Sequence, residues 1–212
     1  MLASRRFALG AALALCRCLL AQPAPTPEPA WTPLMDGQSL AGWHTVGDGT
    51  WTVENGEFVG RAENEALYGL LVSDWSFRDF ALRLKFRSSS GDSGVYIRTL
   101  LRPPDQAHGL QVQVGPPGTG AGGIYESYGR GWLAQPTAEQ EQTYLKPDDW
   151  NALVIVARGG DVRVEANGVL SGELKADPGR PEGQLALQMH SGTSMEVRFK
   201  EIEILENPPP EG

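Results

Sequence analysis

The chain has 212 residues, with 18 basic and 26 acidic side chains, a net charge of −8 and 41% hydrophobic residues. That length suits one domain, and the acidic balance excludes a nucleic-acid or anionic-membrane partner held by charge. Both cysteines, Cys16 and Cys18, fall within residues 1–21, so the rest of the chain can form neither a disulfide nor a thiolate centre.

Residues 1–21 read as an export signal. Arg5 and Arg6 supply the positive start, residues 7–15 an apolar core, and Ala21 a small residue at a cleavage point. The apolar core is too short to span a membrane, and Arg17 breaks the apolar character beyond it. The run Ser4-Arg5-Arg6-Phe7 partly matches a twin-arginine signal, so either export route stays open, with a periplasmic or extracellular destination. A lipoprotein anchor at Cys16 or Cys18 is disfavoured, because Leu15 and Arg17 stand where a small residue belongs. Removal of the signal takes three basic residues and no acidic one, which moves the net charge from −8 to −11. Residues 22–33 carry proline at nearly every second position and read as an extended linker.

From Leu34 onward, turn signals interrupt short apolar runs and no helical period is sustained. Asn55-Gly56 lies between WTV and EFV, and Asn167-Gly168 between DVRVEA and VLSGEL; each predicts a tight hairpin of type I′. Residues 79–87 alternate, with Phe80, Leu82, Leu84 and Phe86 on one face and Ala81, Arg83, Lys85 and Arg87 on the other. Residues 150–158 are apolar on both faces, as in a central strand. In the last run the inward positions change from Met195, Val197 and Phe199 to Ile202 and Ile204, which predicts a β-bulge near Lys200-Glu201. About a dozen strands with this punctuation imply an all-β sandwich of two antiparallel sheets over residues 34–206, with a disordered tail at 207–212.

The chemistry concentrates between Asp92 and Trp132. Val95 and Ile97 face one way along their strand, which puts Gly94, Tyr96 and Arg98 on the other. Arg98 is either a surface arginine paired with an acid or a guanidinium that fixes a substrate oxygen. Gln111 and Gln113 point away from Leu110, Val112 and Val114; they are solvated amides or hydroxyl-recognising ones. After a glycine-rich turn come Tyr125 and Glu126, then Arg130 and Trp132. Glu126 and Arg130 form a loop salt bridge or close a groove, and Trp132 is core or a platform for a sugar ring. Gln188 and His190 lie opposite Leu187 and Met189, and His190 is the only histidine on the polar face of an expected strand. It is therefore the best neutral-range acid or base. No cofactor is expected; a divalent cation held by His190 and carboxylates stays open, though no ligand spacing among His44, His108 and His190 demands one.

The motifs Asp36-Gly37-Gln38-Ser39-Leu40-Ala41-Gly42-Trp43, Ser93-Gly94-Val95-Tyr96-Ile97-Arg98, Gly123-Ile124-Tyr125, Asp149-Trp150-Asn151 and the closing VRFKEIEI resemble the 3-keto-disaccharide hydrolase family. The resemblance covers about residues 33–205 and implies a concanavalin A-like jelly roll, secreted by bacteria, that acts on glycosides oxidised at C3. A C3 ketone acidifies the C2 proton, so a base can remove it and expel the C1 aglycone. By their positions, Arg98 and Gln188 are expected near the carbonyl, with His190 or Glu126 as acid/base and Tyr96, Gln111, Gln113, Tyr125, Arg130 and Trp132 holding a small glycoside or oligosaccharide; the resemblance itself assigns no role to an individual residue. Arg98→Ala is then expected to abolish turnover with little loss of stability. One departure stands at the centre: many members carry Glu where this chain has Gln111. Either Glu126, in the Tyr125-Glu126-Ser127 turn, supplies the carboxylate, or the chain is a non-catalytic carbohydrate-binding module of the same fold.

Overall fold

The computed structural model describes residues 30–209. The expected signal at 1–21, residues 22–29 of the expected linker and residues 210–212 of the expected tail lie outside the described residues. In chain order the elements are β1 (Thr32–Pro33), β2 (Trp43–Gly47), β3 (Thr50–Glu54), β4 (Glu57–Glu63), β5 (Gly69–Phe77), β6 (Phe80–Ser90), β7 (Ser93–Arg102) and β8 (Gln106–Val114). They continue with β9 (Ile124–Ser127), β10 (Gly131–Ala134), α1 (Ala138–Tyr144), β11 (Asn151–Arg158), β12 (Asp161–Ala166), β13 (Val169–Leu174), β14 (Gly183–Met189) and β15 (Ser194–Glu206).

The strands form two antiparallel sheets, as the alternation implied. The first has the order β13-β12-β11-β6-β15-β4-β3, with β1 beside β15; the second has the order β10-β9-β8-β7-β14-β5-β2. Both hairpin turns form where expected. Asn55 and Gly56 have φ of 53° and 80°, and Asn167 and Gly168 have 49° and 81°, the left-handed pair that a type I′ turn requires. The bulge in β15 is also present: its register against β6 shifts between Lys200 and Glu203, and Glu201 has φ 53°.

The core lies between the sheets. Phe80, Leu82, Leu84 and Phe86 of β6 meet Phe199, Ile202 and Ile204 of β15, Ile155 of β11 and Leu185 and Leu187 of β14 in one buried cluster. Truncating any of these to Ala would cost about 2–5 kcal/mol.

Two expectations need correction. Residues 32–33 are not free linker: Thr32 and Pro33 pair with Ile204 and Glu203, and Trp31 sits 4.2 Å from the Arg83 guanidinium. The second concerns β11, which lies inside its sheet between β12 and β6 as a central strand should, yet is fully buried on one face only. Leu153, Ile155 and Ala157 are buried while Ala152, Val154 and Val156 are half-buried, because only one face meets the opposite sheet.

The second sheet has a further feature that builds the site. Its β7–β8 pairing shifts between Ile97 and Leu100, and Arg98 takes φ 51°. Beyond this break Leu101 and Ala107 pack on Leu70, Val72, Tyr96 and Ala186, forming a small apolar cluster separate from the main core. Asp105 in that hairpin accepts the Tyr68 backbone N–H at 2.7 Å. The hairpin thus closes over part of this sheet's outer face and leaves the rest open.

Candidate active site

The open part is a cleft of about 470 Å³ lined by Tyr68, Asp92, Tyr96, Gln111, Gln113, Thr119, Tyr125, Ser127, Tyr128, Trp132, Gln188 and His190. Its floor is set by strand register. Val72, Ala186, Tyr96, Gln111, Tyr125 and Trp132 lie directly opposite one another across β5, β14, β7, β8, β9 and β10. The neighbouring row puts Gly94 opposite Gln113. A Cβ at Gly94 would meet the Gln111 side chain at 2.4 Å, so only glycine leaves room for the amides to gather above it.

Those amides form a directed network. Ser93 anchors it: its carbonyl accepts from Gln111 Nε2 at 3.3 Å, and its hydroxyl donates to the Gln188 carbonyl at 2.6 Å. A backbone carbonyl only accepts, which fixes the orientation of the Gln111 amide. Gln111 Nε2 also donates to Gln113 Oε1 at 2.9 Å and Gln188 Oε1 at 3.2 Å, while its Oε1 accepts from Ser127 at 3.1 Å. Since Ser127 donates its proton there, the Tyr96 hydroxyl donates to Ser127 Oγ over 2.8 Å. Gln188 Nε2 then donates to Tyr96 at 3.1 Å. Burial pushes the Tyr96 phenol well up, so it stays a proton donor. Gln113 Nε2 donates to the Asp92 carboxylate.

Asp92 is where the network ends and where the ionisable chemistry begins. Burial pushes its carboxyl above the ordinary value, opposed by His190 and by the Gln113 amide. The His190 backbone N–H donates to the Asp92 carbonyl at 3.3 Å, which fixes the two residues side by side at the ends of β14 and β7. His190 Nδ1 lies 2.7 Å from the Ser191 carbonyl, so the neutral ring carries its lone pair on Nε2. Tyr68 packs edge-on against this imidazole, with ring centres 5.0 Å apart. Among the described residues no three His, Cys, Asp or Glu side chains cluster as a metal site.

Seven of the ten residues singled out in the sequence meet here: Tyr96, Gln111, Gln113, Tyr125, Trp132, Gln188 and His190. Arg98, Glu126 and Arg130 do not. The break after Ile97 turns Arg98 out of the alternation, and its guanidinium donates to the carbonyls of Arg78 at 2.6 Å and Gly159 at 2.7 Å and to Asp79 at 3.2 Å. It ties the ends of the two sheets together, and none of these partners lines the cleft. Glu126 alternates with Tyr125 and Ser127 and so faces away from the cleft. Arg130 holds it at 2.6 Å and also grips Asp177 at 2.6 Å. That arginine keeps the Glu126 carboxyl below the usual range, the wrong direction for a base.

Asp92, Tyr68, Thr119, Ser127 and Tyr128 were missed. Asp92 shares the parity of Gly94 and Tyr96, and that signal could have found it; its GDSG context reads first as a turn. Tyr68 lies outside any alternating run, and only pairing with β14 brings it beside His190.

The family model of the 3-keto-alpha-glucoside-1,2-lyase-like domain matches residues 30–205. A search of curated protein sequences finds no match. Among solved structures, a candidate glycosyl hydrolase from Parabacteroides distasonis superposes with a TM-score of 0.62 at 20% identity, covering 83% of this chain and 93% of that one. The carbohydrate-binding module CBM66 from Bacillus subtilis gives 0.56 at 17% identity, with 78% and 96% covered. A Bacillus subtilis protein with a galectin-like fold gives 0.59 at 11% identity, with 77% and 89% covered. At these identities the structures speak for the jelly-roll fold alone. The family match spans most of the chain, and the protein belongs to the family of 3-keto-alpha-glucoside-1,2-lyase-like domains.

Proposed function

We propose that the protein is an exported enzyme that cleaves 3-keto-glycosides by removing the C2 proton and expelling the C1 aglycone. The observation that carries this reading is the Asp92–His190 pair at the end of an amide-lined floor. His190 Nε2 takes the C2 proton, and the electron pair forms the C1=C2 bond as the C1–O bond breaks. The imidazolium, stabilised by Asp92, returns that proton to the departing oxygen on the adjacent carbon, so the aglycone leaves as an alcohol. Gln188 and Gln113 each use one amide hydrogen inside the network and keep a second for charge developing on the C3 oxygen. Water adding across C1=C2 then releases the 3-keto sugar.

Gln111 does not take part as a base. Its NH₂ faces three acceptors, and a carboxylate in its place would meet all of them without a proton to offer. The test is to incubate the protein with 3-keto-glucosides and with their unoxidised parents and measure free aglycone. Release from the ketones alone is expected. The other reading, a carbohydrate-binding module, is favoured by the fully bonded Gln111 amide at the floor's centre, where a carboxylate base would otherwise stand. Binding of the ketones without release would establish it.

A further inference from the structure

The cleft is chemically two-ended. Asp92, His190 and Tyr68 occupy one end, on the β7, β14 and β5 side. Trp132, Tyr125 and Thr119 occupy the other, on the β9–β10 edge and the loop before it. Four strand steps of about 4.8 Å separate β10 from β14, which leaves room on the floor for more than one sugar ring. The aromatic end is held rigidly. Trp132 and Tyr125 sit edge to face, 5.4 Å apart at 78°. The six-membered part of the Trp132 ring lies against Gly120, where a Cβ would come within 2.6 Å of it; φ of 83° also requires glycine there.

The loop carrying Gly120 and Thr119 is itself pinned from behind. Glu141 of α1 is 1% exposed. Its carboxylate accepts the backbone N–H of Ala121 at 2.6 Å and that of Gly118. Tyr144 donates to the Ala121 carbonyl at 2.7 Å, and Gly122 N–H donates to the Gln113 carbonyl at 2.8 Å. Burying a carboxylate to hold two loop amides carries a desolvation cost that shaping an ordinary surface loop does not require. Its consequence is a tryptophan whose place is set before any ligand arrives, with 37% of its surface open.

We infer that the Tyr125–Trp132–Thr119 end is a subsite for the departing unit, built for one with a flat apolar face, and that Glu141 is its positioning residue. The inference rests on the lyase reading above for which end reacts. Elimination needs C2 at His190, and the C1 substituent must then extend along the floor toward Trp132. A second pyranose ring and an aryl group both present such a face, whereas a methyl group does not.

The test compares three 3-keto-glucosides, with methyl, phenyl and glucosyl leaving units, on wild type, Trp132→Ala, Trp132→Phe and Glu141→Gln. Trp132→Ala should cut kcat/KM for the two ring-bearing substrates about tenfold more than for the methyl one, with Trp132→Phe in between. Glu141→Gln should show the same preference in smaller degree, through KM rather than kcat, as displacement of a platform requires. A phenyl-only effect would identify an aryl face as the ligand, and a glucosyl-only effect a sugar face. Equal losses on all three substrates would overturn the subsite. If wild type cleaves none of them, the lyase reading falls. Calorimetric binding of the glucosyl substrate then decides the subsite: a tenfold weaker Kd in Trp132→Ala supports it, and an unchanged Kd overturns it.

Discussion

The outer faces of the two sheets use the same strand geometry for opposite ends. On the first sheet many outward side chains are charged and pair with one another. Arg83 meets Glu203 at 2.6 Å, Lys85 meets Glu201 at 2.8 Å, and Arg61 bridges Glu54 and Glu196. These groups are partly exposed and already paired with one another. On the second sheet the equivalent positions hold Tyr96, Gln111, Gln113 and Gln188, each 5% exposed or less. Neutral amides tolerate burial better than charges, and Gln113 and Gln188 each use only one amide hydrogen within the network. A lattice of ion pairs makes a finished surface. A network of amides over a glycine makes a floor with donors to spare.

The sharpest way to break this contrast is at the reacting end. His190→Ala should lower the rate of aglycone release by about 10²–10⁴-fold while leaving the unfolding midpoint near that of wild type. A variant with full activity would remove the proposed base.

Arg98→Ala tests a charge that belongs to neither face. Its guanidinium is buried, and burial lowers its pKa while Asp79 opposes. Removing it strands two carbonyls and an acid, which should cost about 3–5 kcal/mol in denaturant unfolding. The loss is in stability first, contrary to what the sequence suggests.

Asp92→Asn sharpens the difference between a functional and a structural carboxylate. Because its folded pKa is raised, the stability it permits is fully present below the unfolded value of 3.8 and is lost as pH rises through the folded one. The Asn variant should therefore unfold at a higher temperature than wild type at neutral pH, with the gap closing in acid. Loss of activity alongside that gain would mark a site where function is kept despite its cost in stability. The smallest effect is on the other face. Glu203→Gln should change unfolding free energy by no more than about 0.5 kcal/mol, because exposed pairs contribute little.

Much of the architecture was legible in residue order. Alternation in β6, the two Asn-Gly turns and the parity switch at Glu201 are local steric signals, and each survives into the structure. Parity also put Tyr96, Gln111, Gln113, Gln188 and His190 on one face, since in a strand the side a residue faces is a matter of counting. Counting failed at Arg98 because a register break after Ile97 resets it, and the hairpin beyond that break packs Leu101 and Ala107 on Leu70 and Val72. At Glu126 residue order left open a loop salt bridge with Arg130 or a place at the rim of a groove, and the structure forms the salt bridge.

Residue order by itself determined that this chain makes a two-sheet sandwich with an amide-rich strand face, because period and turn chemistry act between near neighbours. Only the tertiary structure decided which carboxylate lines the cleft. Asp92 and His190 are far apart in sequence and meet because β7 and β14 pair in one register, and partial burial at that end of the cleft is what raises the carboxyl.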